Sequence, residues 1–167
     1  LCPGGKYQPD PAKSFCTNCT AGYYTNKLGS VLCTKCDPGY FNVEAGQDVC
    51  EGCTQGFQQP ASGKTSCEPC PLGTASNSLG EINCPACPSG RYADETELSE
   101  CKLCDAGTFS SNTGGATGTQ SCTACDEGQF QIAVGQGLCL DCPIGTFNNE
   151  LQQVACEACP QGTYAGG

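Results

Sequence analysis

The spacing of the cysteines constrains this chain more than any other feature of its sequence. The chain has 167 residues and 19 cysteines, and 18 of these cysteines form nine Cys-x-x-Cys pairs. The last cysteine of each pair follows the previous one after 17 residues, with a single step of 21 residues. A fixed period of this length is typical of a tandem array, in which one small unit is copied and stacked on its neighbour.

We predict nine repeats and the start of a tenth. Cys2 opens the first repeat, and the last cysteine of each pair opens one of the others. Repeat 7 carries four additional residues within 112–118, which we expect to form a surface loop. The limits are 1–18, 19–35, 36–52, 53–69, 70–86, 87–103, 104–124, 125–141, 142–158 and the partial repeat 159–167.

The composition favours a fold stabilised by disulfide bonds over one stabilised by a hydrophobic core. Only 14% of the residues are charged, Trp and Met are absent, and 23 Gly and 11 Pro disfavour helices and long strands. We predict a small disulfide-rich fold, an elongated tandem-repeat rod or solenoid of 17-residue units. Each unit is expected to contain turns and a short β-hairpin with strands of three or four residues, so regular secondary structure is low.

Each repeat has a glycine three residues after its opening cysteine, which predicts a turn with positive φ or a place too crowded for a β-carbon. These turn glycines are Gly5, Gly22, Gly39, Gly56, Gly73, Gly90, Gly107, Gly128, Gly145 and Gly162. An aromatic residue two positions later is expected to cover the disulfide as the small core of its unit. These core aromatics are Tyr7, Tyr24, Phe41, Tyr92, Phe109, Phe130, Phe147 and Tyr164, whereas Gln58 and Ala75 occupy the position in repeats 4 and 5.

A second glycine lies four residues before the first cysteine of the next pair in most repeats, at Gly29, Gly46, Gly63, Gly80, Gly118 and Gly135. Ala12, Glu97 and Gln152 replace it elsewhere. We therefore expect a second turn that prefers glycine without requiring it.

The phase of the cysteines favours bridges between each opening cysteine and the first cysteine of the next pair. Bridges within each Cys-x-x-Cys would leave Cys2 alone and close only a four-residue ring, and interlocked pairing across neighbouring units is a third possibility. The sequential scheme uses Cys2, Cys16, Cys19, Cys33, Cys36, Cys50, Cys53, Cys67, Cys70, Cys84, Cys87, Cys101, Cys104, Cys122, Cys125, Cys139, Cys142 and Cys156, and leaves Cys159.

So many cysteines indicate an extracellular or cell-surface protein that is secreted through an oxidising compartment. The chain opens in mid-phase, and we expect it to be part of a longer, processed protein. No apolar run approaches the length of a membrane span, so we expect no membrane insertion by this segment. The formal charge of −10 disfavours nucleic acid as a partner.

We expect no enzyme, no cofactor and no metal. The chain has no histidine, so Ser-His-Asp and Cys-His arrangements are excluded, and Cys-x-x-Cys without a βαβ setting does not indicate a redox site. The acidic stretch Asp94, Glu95, Glu97 and Glu100 lacks the pattern of a calcium loop and is interpreted as a solvated face. The spacing could hold zinc, which remains a minor alternative. Asn18 lies in the single N-glycosylation sequon.

The pattern Cys-x-x-Gly-x-Tyr/Phe, closed by one bridge and a two-residue spacer, resembles single-disulfide modules of tumour necrosis factor receptors. It is also similar to the ephrin-receptor-like, growth-factor-receptor cysteine-rich repeats, and its uniformity resembles protist surface antigens. These resemblances imply an extracellular array that contacts other proteins or its own copies.

The resulting prediction is a structural protein, a disulfide-stapled repeat rod in a surface coat, stalk or self-assembling filament. The alternative is a ligand-binding receptor ectodomain, with its site near Gln58 and Ala75 or near Asn112, where the repeat departs from uniformity.

Overall fold

The computed structural model describes residues 1–112 and 118–163. Within these ranges the chain has no helix and forms sixteen two-residue strands, which pair antiparallel as eight hairpins. The strands are β1 Lys6–Tyr7, β2 Thr17–Asn18, β3 Tyr23–Tyr24, β4 Thr34–Lys35, β5 Tyr40–Phe41, β6 Glu51–Gly52, β7 Phe57–Gln58, β8 Glu68–Pro69, β9 Arg91–Tyr92, β10 Lys102–Leu103, β11 Thr108–Phe109, β12 Thr123–Ala124, β13 Gln129–Phe130, β14 Leu140–Asp141, β15 Thr146–Phe147 and β16 Glu157–Ala158. The prediction of a small disulfide-rich repeat fold with little regular secondary structure is confirmed.

Each hairpin joins the two residues after the first-turn glycine to the two residues between the cysteines of the next Cys-x-x-Cys. In repeat 2, Tyr23 pairs with Lys35 and Tyr24 pairs with Thr34. Repeat 5 has an isolated bridge between Thr74 and Ala86 instead. The strands are shorter than the predicted three or four residues. The residue after the first strand forms its backbone hydrogen bonds with the neighbouring repeat, outside its own hairpin.

Nine disulfides close the repeats, with Cα–Cα separations of 5.6 to 5.8 Å, which is ordinary bridge geometry. Eight span 14 residues of sequence, and the bridge of repeat 7 spans 18. The bridges are Cys2–Cys16, Cys19–Cys33, Cys36–Cys50, Cys53–Cys67, Cys70–Cys84, Cys87–Cys101, Cys104–Cys122, Cys125–Cys139 and Cys142–Cys156. This is the sequential pairing, and Cys159 has no bridge partner among the described residues.

Backbone hydrogen bonds join each repeat to the next. In repeat 3, the Gly39 N–H donates to the carbonyl of Gln59 at 2.7 Å, and the Gly39 carbonyl accepts from the N–H of Cys53 at 2.9 Å. Equivalent bonds recur at all eight junctions from repeats 1 and 2 to repeats 8 and 9. Since an unpaired buried backbone group is costly, these bonds fix the stacking of neighbouring repeats.

The chain divides into two compact units, each stacked in this way. The first unit comprises Leu1–Cys70 and Ser76–Cys84, and the second comprises Pro71–Ala75 and Pro85–Gly167. Within each unit, the opening cysteines of the interior repeats are almost completely buried. Sulfur bridges, rather than a layer of large aliphatic side chains, therefore lie at the centre of the stack.

Candidate interaction surface

The first-turn glycines set how closely the repeats stack. All ten have φ between 76° and 85°, the left-handed region that L-residues with a β-carbon rarely adopt. A β-carbon on Gly39 would lie 2.1 Å from the carbonyl oxygen of Gly80, two repeats further along the chain. Gly90 is blocked in the same way by the carbonyl of Gly135, at 2.0 Å. Glycine is therefore required here by both backbone conformation and space.

The second turn keeps the same conformation where Glu97 and Gln152 replace glycine, whereas Ala12, at the equivalent position of repeat 1, does not have positive φ. Glu97 and Gln152 have φ of 67° and 64°, close to the 69° of Gly29 at the equivalent position. A β-carbon at Gly63 would meet only the side chain of Lys35, at 3.4 Å. No backbone crowds Gly63 as it crowds the first turn, so a side chain is tolerated there at the conformational cost alone. Gly118 in repeat 7 differs, because its β-carbon would lie 2.0 Å from the carbonyl oxygen of Gly73.

A column of polar side chains, six residues after each opening cysteine, was missed by the sequence reasoning; its members are buried except Gln8 and Asn148, which are half-buried. The glutamines of this polar column form hydrogen bonds with the backbone of the outer loop in their own repeat. The Gln59 amide donates to the carbonyl of Ser66 at 2.7 Å, and its oxygen accepts from the N–H of Ala61 at 3.0 Å. The polar column consists of Gln8, Thr25, Asn42, Gln59, Ser76, Ser110, Gln131 and Asn148, with Ala93 in repeat 6.

Three of the shorter side chains, Asn42, Ser110 and Asn148, bond to the preceding repeat, whereas Thr25 and Ser76 bond to side chains of their own repeat. The Asn42 amide donates to the carbonyl of Tyr23 at 3.2 Å, and the Ser110 hydroxyl donates to the carbonyl of Arg91 at 3.1 Å. In the described residues no buried side-chain nitrogen or oxygen lacks a partner. The signal that could have found the column is the run of Gln, Thr, Asn and Ser at one repeat position, since buried polar groups need hydrogen bonds.

The aromatic residues assigned to the core are half-buried, whereas the opening cysteines of repeats 1 to 8 and most side chains of the polar column are buried. A two-residue hairpin offers only one layer of backbone, so a ring beside it keeps one side towards solvent. Phe57 is half-buried in β7 of repeat 4, one position early. The half-buried rings are Tyr7, Tyr24, Phe41, Tyr92, Phe109, Phe130 and Phe147; Tyr164 lies outside the described residues.

The places where the repeat loses its aromatic residue are occupied by structural contacts. The Gln58 side-chain oxygen accepts from the N–H of Cys84 at 2.7 Å, and Ala75 is buried. The Asn112 amide donates to the carbonyl of Cys87. Residues 113–117 of the insertion lie outside the described ranges. A ligand site at either place stays a prediction.

The outer loops carry exposed aliphatic side chains at three recurring positions, nine, twelve and thirteen residues after the opening cysteine. In repeat 2 the loop lines a groove of about 500 Å³ that includes Lys27, Leu28, Val31 and Leu32. In repeat 9 the equivalent loop lines a groove of about 380 Å³ that includes Glu150, Val154 and Glu157. The other exposed aliphatic residues at these positions are Val49, Leu79, Ile82, Val134, Leu138 and Leu151.

Repeat 6 contains all three ion pairs of the described residues. Lys102 Nζ lies 2.8 Å from Asp94 Oδ1 and 2.7 Å from Glu95 Oε1, and Arg91 Nη1 lies 2.9 Å from Glu100 Oε1. The hydrogen bond from Lys102 lowers the pKa of the Asp94 carboxyl. The same hydrogen bond, with one to Glu95, raises the pKa of Lys102. The acidic stretch is thus partly neutralised by its own repeat.

The cysteines that could have held zinc are joined as disulfides in the nine repeats. A zinc ligand is a thiolate, so this arrangement offers no group of zinc ligands among the described residues. Asn18, in the glycosylation sequon, is exposed in β2, whereas Cys19 in the middle of the sequon is buried. Its glycosylation stays a prediction.

Comparison with known proteins identifies the repeat. The model of the tyrosine-protein kinase ephrin type A/B receptor-like family matches residues 39–81, 59–97 and 132–166, which together cover more than half of the chain. No curated protein matches the chain significantly. Among the described residues, no helix has the length and apolar character needed to cross a membrane. The disulfides and the receptor-like module fit an extracellular or cell-surface location.

The first two matches overlap at residues 59–81, and each match extends over more than one repeat, as expected if the family's module is built from the repeating unit. The resemblance inferred from Cys-x-x-Gly-x-Tyr/Phe is confirmed. The chain therefore belongs to the ephrin-receptor-like family of cysteine-rich repeats.

Proposed function

We propose that the chain is a non-enzymatic structural segment of an extracellular protein, a spacer within a surface coat, a stalk or a self-assembling filament. The observation that carries this proposal is the recurrence of the same backbone bonds at eight successive junctions. Such stacking fixes the position of each repeat relative to its neighbour, and it does so without a bound ligand. Secretion through an oxidising compartment would supply the bridges on which the stacking depends.

The outer surface supports a role in protein contacts. Exposed aliphatic residues recur on the loops, among them Leu28 and Leu79, which are 73% and 74% exposed. Exposed apolar side chains that recur in this way are typical of protein interaction surfaces. Partners are therefore proteins, including further copies of the chain.

The test of the proposed function is localisation of the native protein. An antibody raised against the oxidised chain should label intact, unpermeabilised cells and should decorate assembled material in electron micrographs of cell-surface extracts. The matched control is the same antibody saturated with oxidised chain, which should label nothing. Labelling confined to the cell interior, or only to dispersed single molecules, would contradict the proposal.

A ligand-binding receptor ectodomain is the second candidate, and the match to a receptor-like family favours it. This function predicts that one extracellular protein binds the oxidised chain saturably, at one site. Binding that increases without saturation, or that involves only further copies of the chain, would favour the structural segment. Titration calorimetry with purified cell-surface proteins distinguishes these results.

A further inference from the structure

The grooves of repeats 2 and 9 are the same loop of the same module with opposite charge. The position eight residues after the opening cysteine is Lys27 in repeat 2 and Glu150 in repeat 9. The position fifteen residues after it is Thr34 in repeat 2 and Glu157 in repeat 9. Both positions line their respective grooves. One loop is therefore basic and the other acidic.

The apolar parts of the two loops match one another. Leu28 and Leu151 occupy one repeat position and are 73% and 58% exposed, and Val31 and Val154 occupy another and are 58% and 46% exposed. Each loop thus presents two aliphatic side chains beside its charges. Contact between the loops would remove four apolar side chains from water, which is favourable.

The basic side chains of repeat 2 are not neutralised within the described part of the chain, where every ion pair involves Arg91 or Lys102. Lys27 is exposed, and Lys35 follows the same loop on strand β4. Residues 1–35 contain four of the seven cationic side chains and one of the seventeen acidic ones. The cations are therefore concentrated in the first two repeats of an acidic chain.

Building on the proposed structural role, we propose that the basic loop of repeat 2 binds the acidic loop of repeat 9 in a second copy of this chain. Lys27 faces Glu150 and Glu157 across the contact, Lys35 adds positive charge from the adjoining strand β4, and the aliphatic residues pack between the charged groups. Charge complementarity steers the encounter and sets its orientation, while apolar burial supplies affinity. Because the two surfaces differ, the contact is heterologous, and each bound pair leaves one basic loop and one acidic loop open for further copies.

Charge reversal tests the contact directly. Oxidised chains carrying K27E and K35E, or E150K and E157K, should self-associate at least about tenfold more weakly than the native chain by sedimentation equilibrium. The variant with all four reversals should recover association, because attraction is restored with the signs exchanged. K64E is the matched control, since it reverses an exposed lysine outside both loops and should change little.

The readouts also separate this inference from the proposed function. Native chain that stays monomeric at low salt, or a fourfold variant that fails to recover, would overturn the contact. The mass of the oxidised protein and its circular dichroism show whether each variant is folded, and all substituted side chains are exposed. If the native protein labels a surface coat while the purified chain is monomeric, the contact fails and the structural role stands. If the reversals behave as expected and surface labelling is absent, the structural role fails alone.

Discussion

At the scale of single residues, the first-turn glycines are required for two reasons, the left-handed backbone conformation and the lack of space for a β-carbon. Substitutions can measure these two contributions separately. We expect Gly39→Ala to destabilise the chain by about 3 kcal/mol or more, because left-handed φ costs about 1 to 2 kcal/mol and the Gly80 carbonyl must also move. Gly145→Ala is the control, since its φ is the same and nothing lies within 4 Å of its β-carbon. It should lose only the conformational part. Urea unfolding of the oxidised proteins measures both, and equal losses would contradict the close approach.

The polar column replaces part of the missing apolar core, and its side chains are expected to be intolerant of apolar substitution. Gln59 is 2% exposed, so Gln59→Leu leaves the Ser66 carbonyl and the Ala61 N–H without partners. We expect a loss of about 2 to 4 kcal/mol. Gln55→Leu, which removes an exposed glutamine bonded to Asn77, should cost less than about 1 kcal/mol. A neutral Gln59→Leu in thermal unfolding would show that the column is dispensable.

The ion pairs of repeat 6 predict a pH dependence confined to acid. Asp94 has a lower pKa in the folded chain than its ordinary 3.8, so its pairing stabilises the fold above about pH 4 and is lost as pH falls through the lowered pKa. Lys102→Gln should return the pKa of Asp94 towards 3.8. Carbon-13 NMR titration of the carboxyl group measures it, with Lys64→Gln as a control that should leave the pKa unchanged.

At the scale of the element, each hairpin is too short to be stable without its bridge. A two-residue strand pair fixes few hydrogen bonds, and isolated two-stranded hairpins are marginal in water even when longer. The bridge closes the loop behind the hairpin, and the two residues between paired cysteines form the return strand. The cysteine period and the strand positions are therefore one feature of the repeat.

Removing a bridge should cost more in the middle of the stack than near its end. The bridges Cys53–Cys67 and Cys142–Cys156 both span 14 residues, so loss of chain-entropy stabilisation is the same, about 3 kcal/mol for each. Cys53 is completely buried, whereas Cys142 is half-buried. Replacing both cysteines of the first bridge with Ala should cost about 1 to 2 kcal/mol more than the same change in the second, through the cavity. Indistinguishable urea midpoints would show that packing around the sulfur is unimportant.

At the scale of the whole molecule, stability depends on oxidised sulfur and on contacts between neighbours. We expect a reductant to unfold both compact units, because the large side chains are half-buried and cannot hold the repeats in place. A metal chelator at the same pH should leave the circular dichroism unchanged. Unfolding by the chelator, with resistance to the reductant, would mean that metal rather than sulfur holds the fold.

Much of this fold could be predicted from sequence because a covalent period leaves little freedom. The spacing of the cysteines determined the repeat, and Cys-x-x-Gly-x-Tyr/Phe determined its first turn and its family. Composition determined that helices would be absent from the described residues. These are local properties, since a left-handed glycine or a short cysteine loop acts within a few residues of its own position.

Only the tertiary structure decided what lies inside and what meets across repeats. Tyr and Phe were expected to form the core, yet Gln59 and Gln131 are buried instead, because their hydrogen-bond partners are loop carbonyls that folding brings together. The contact of Gly39 with Gly80 joins residues two repeats apart, so the conformational preferences of neighbouring residues do not predict it. The opposite charges of Lys27 and Glu150 were visible in the sequence, but their equivalence on one loop surface follows from stacking, which is a property of neighbours rather than of any single unit.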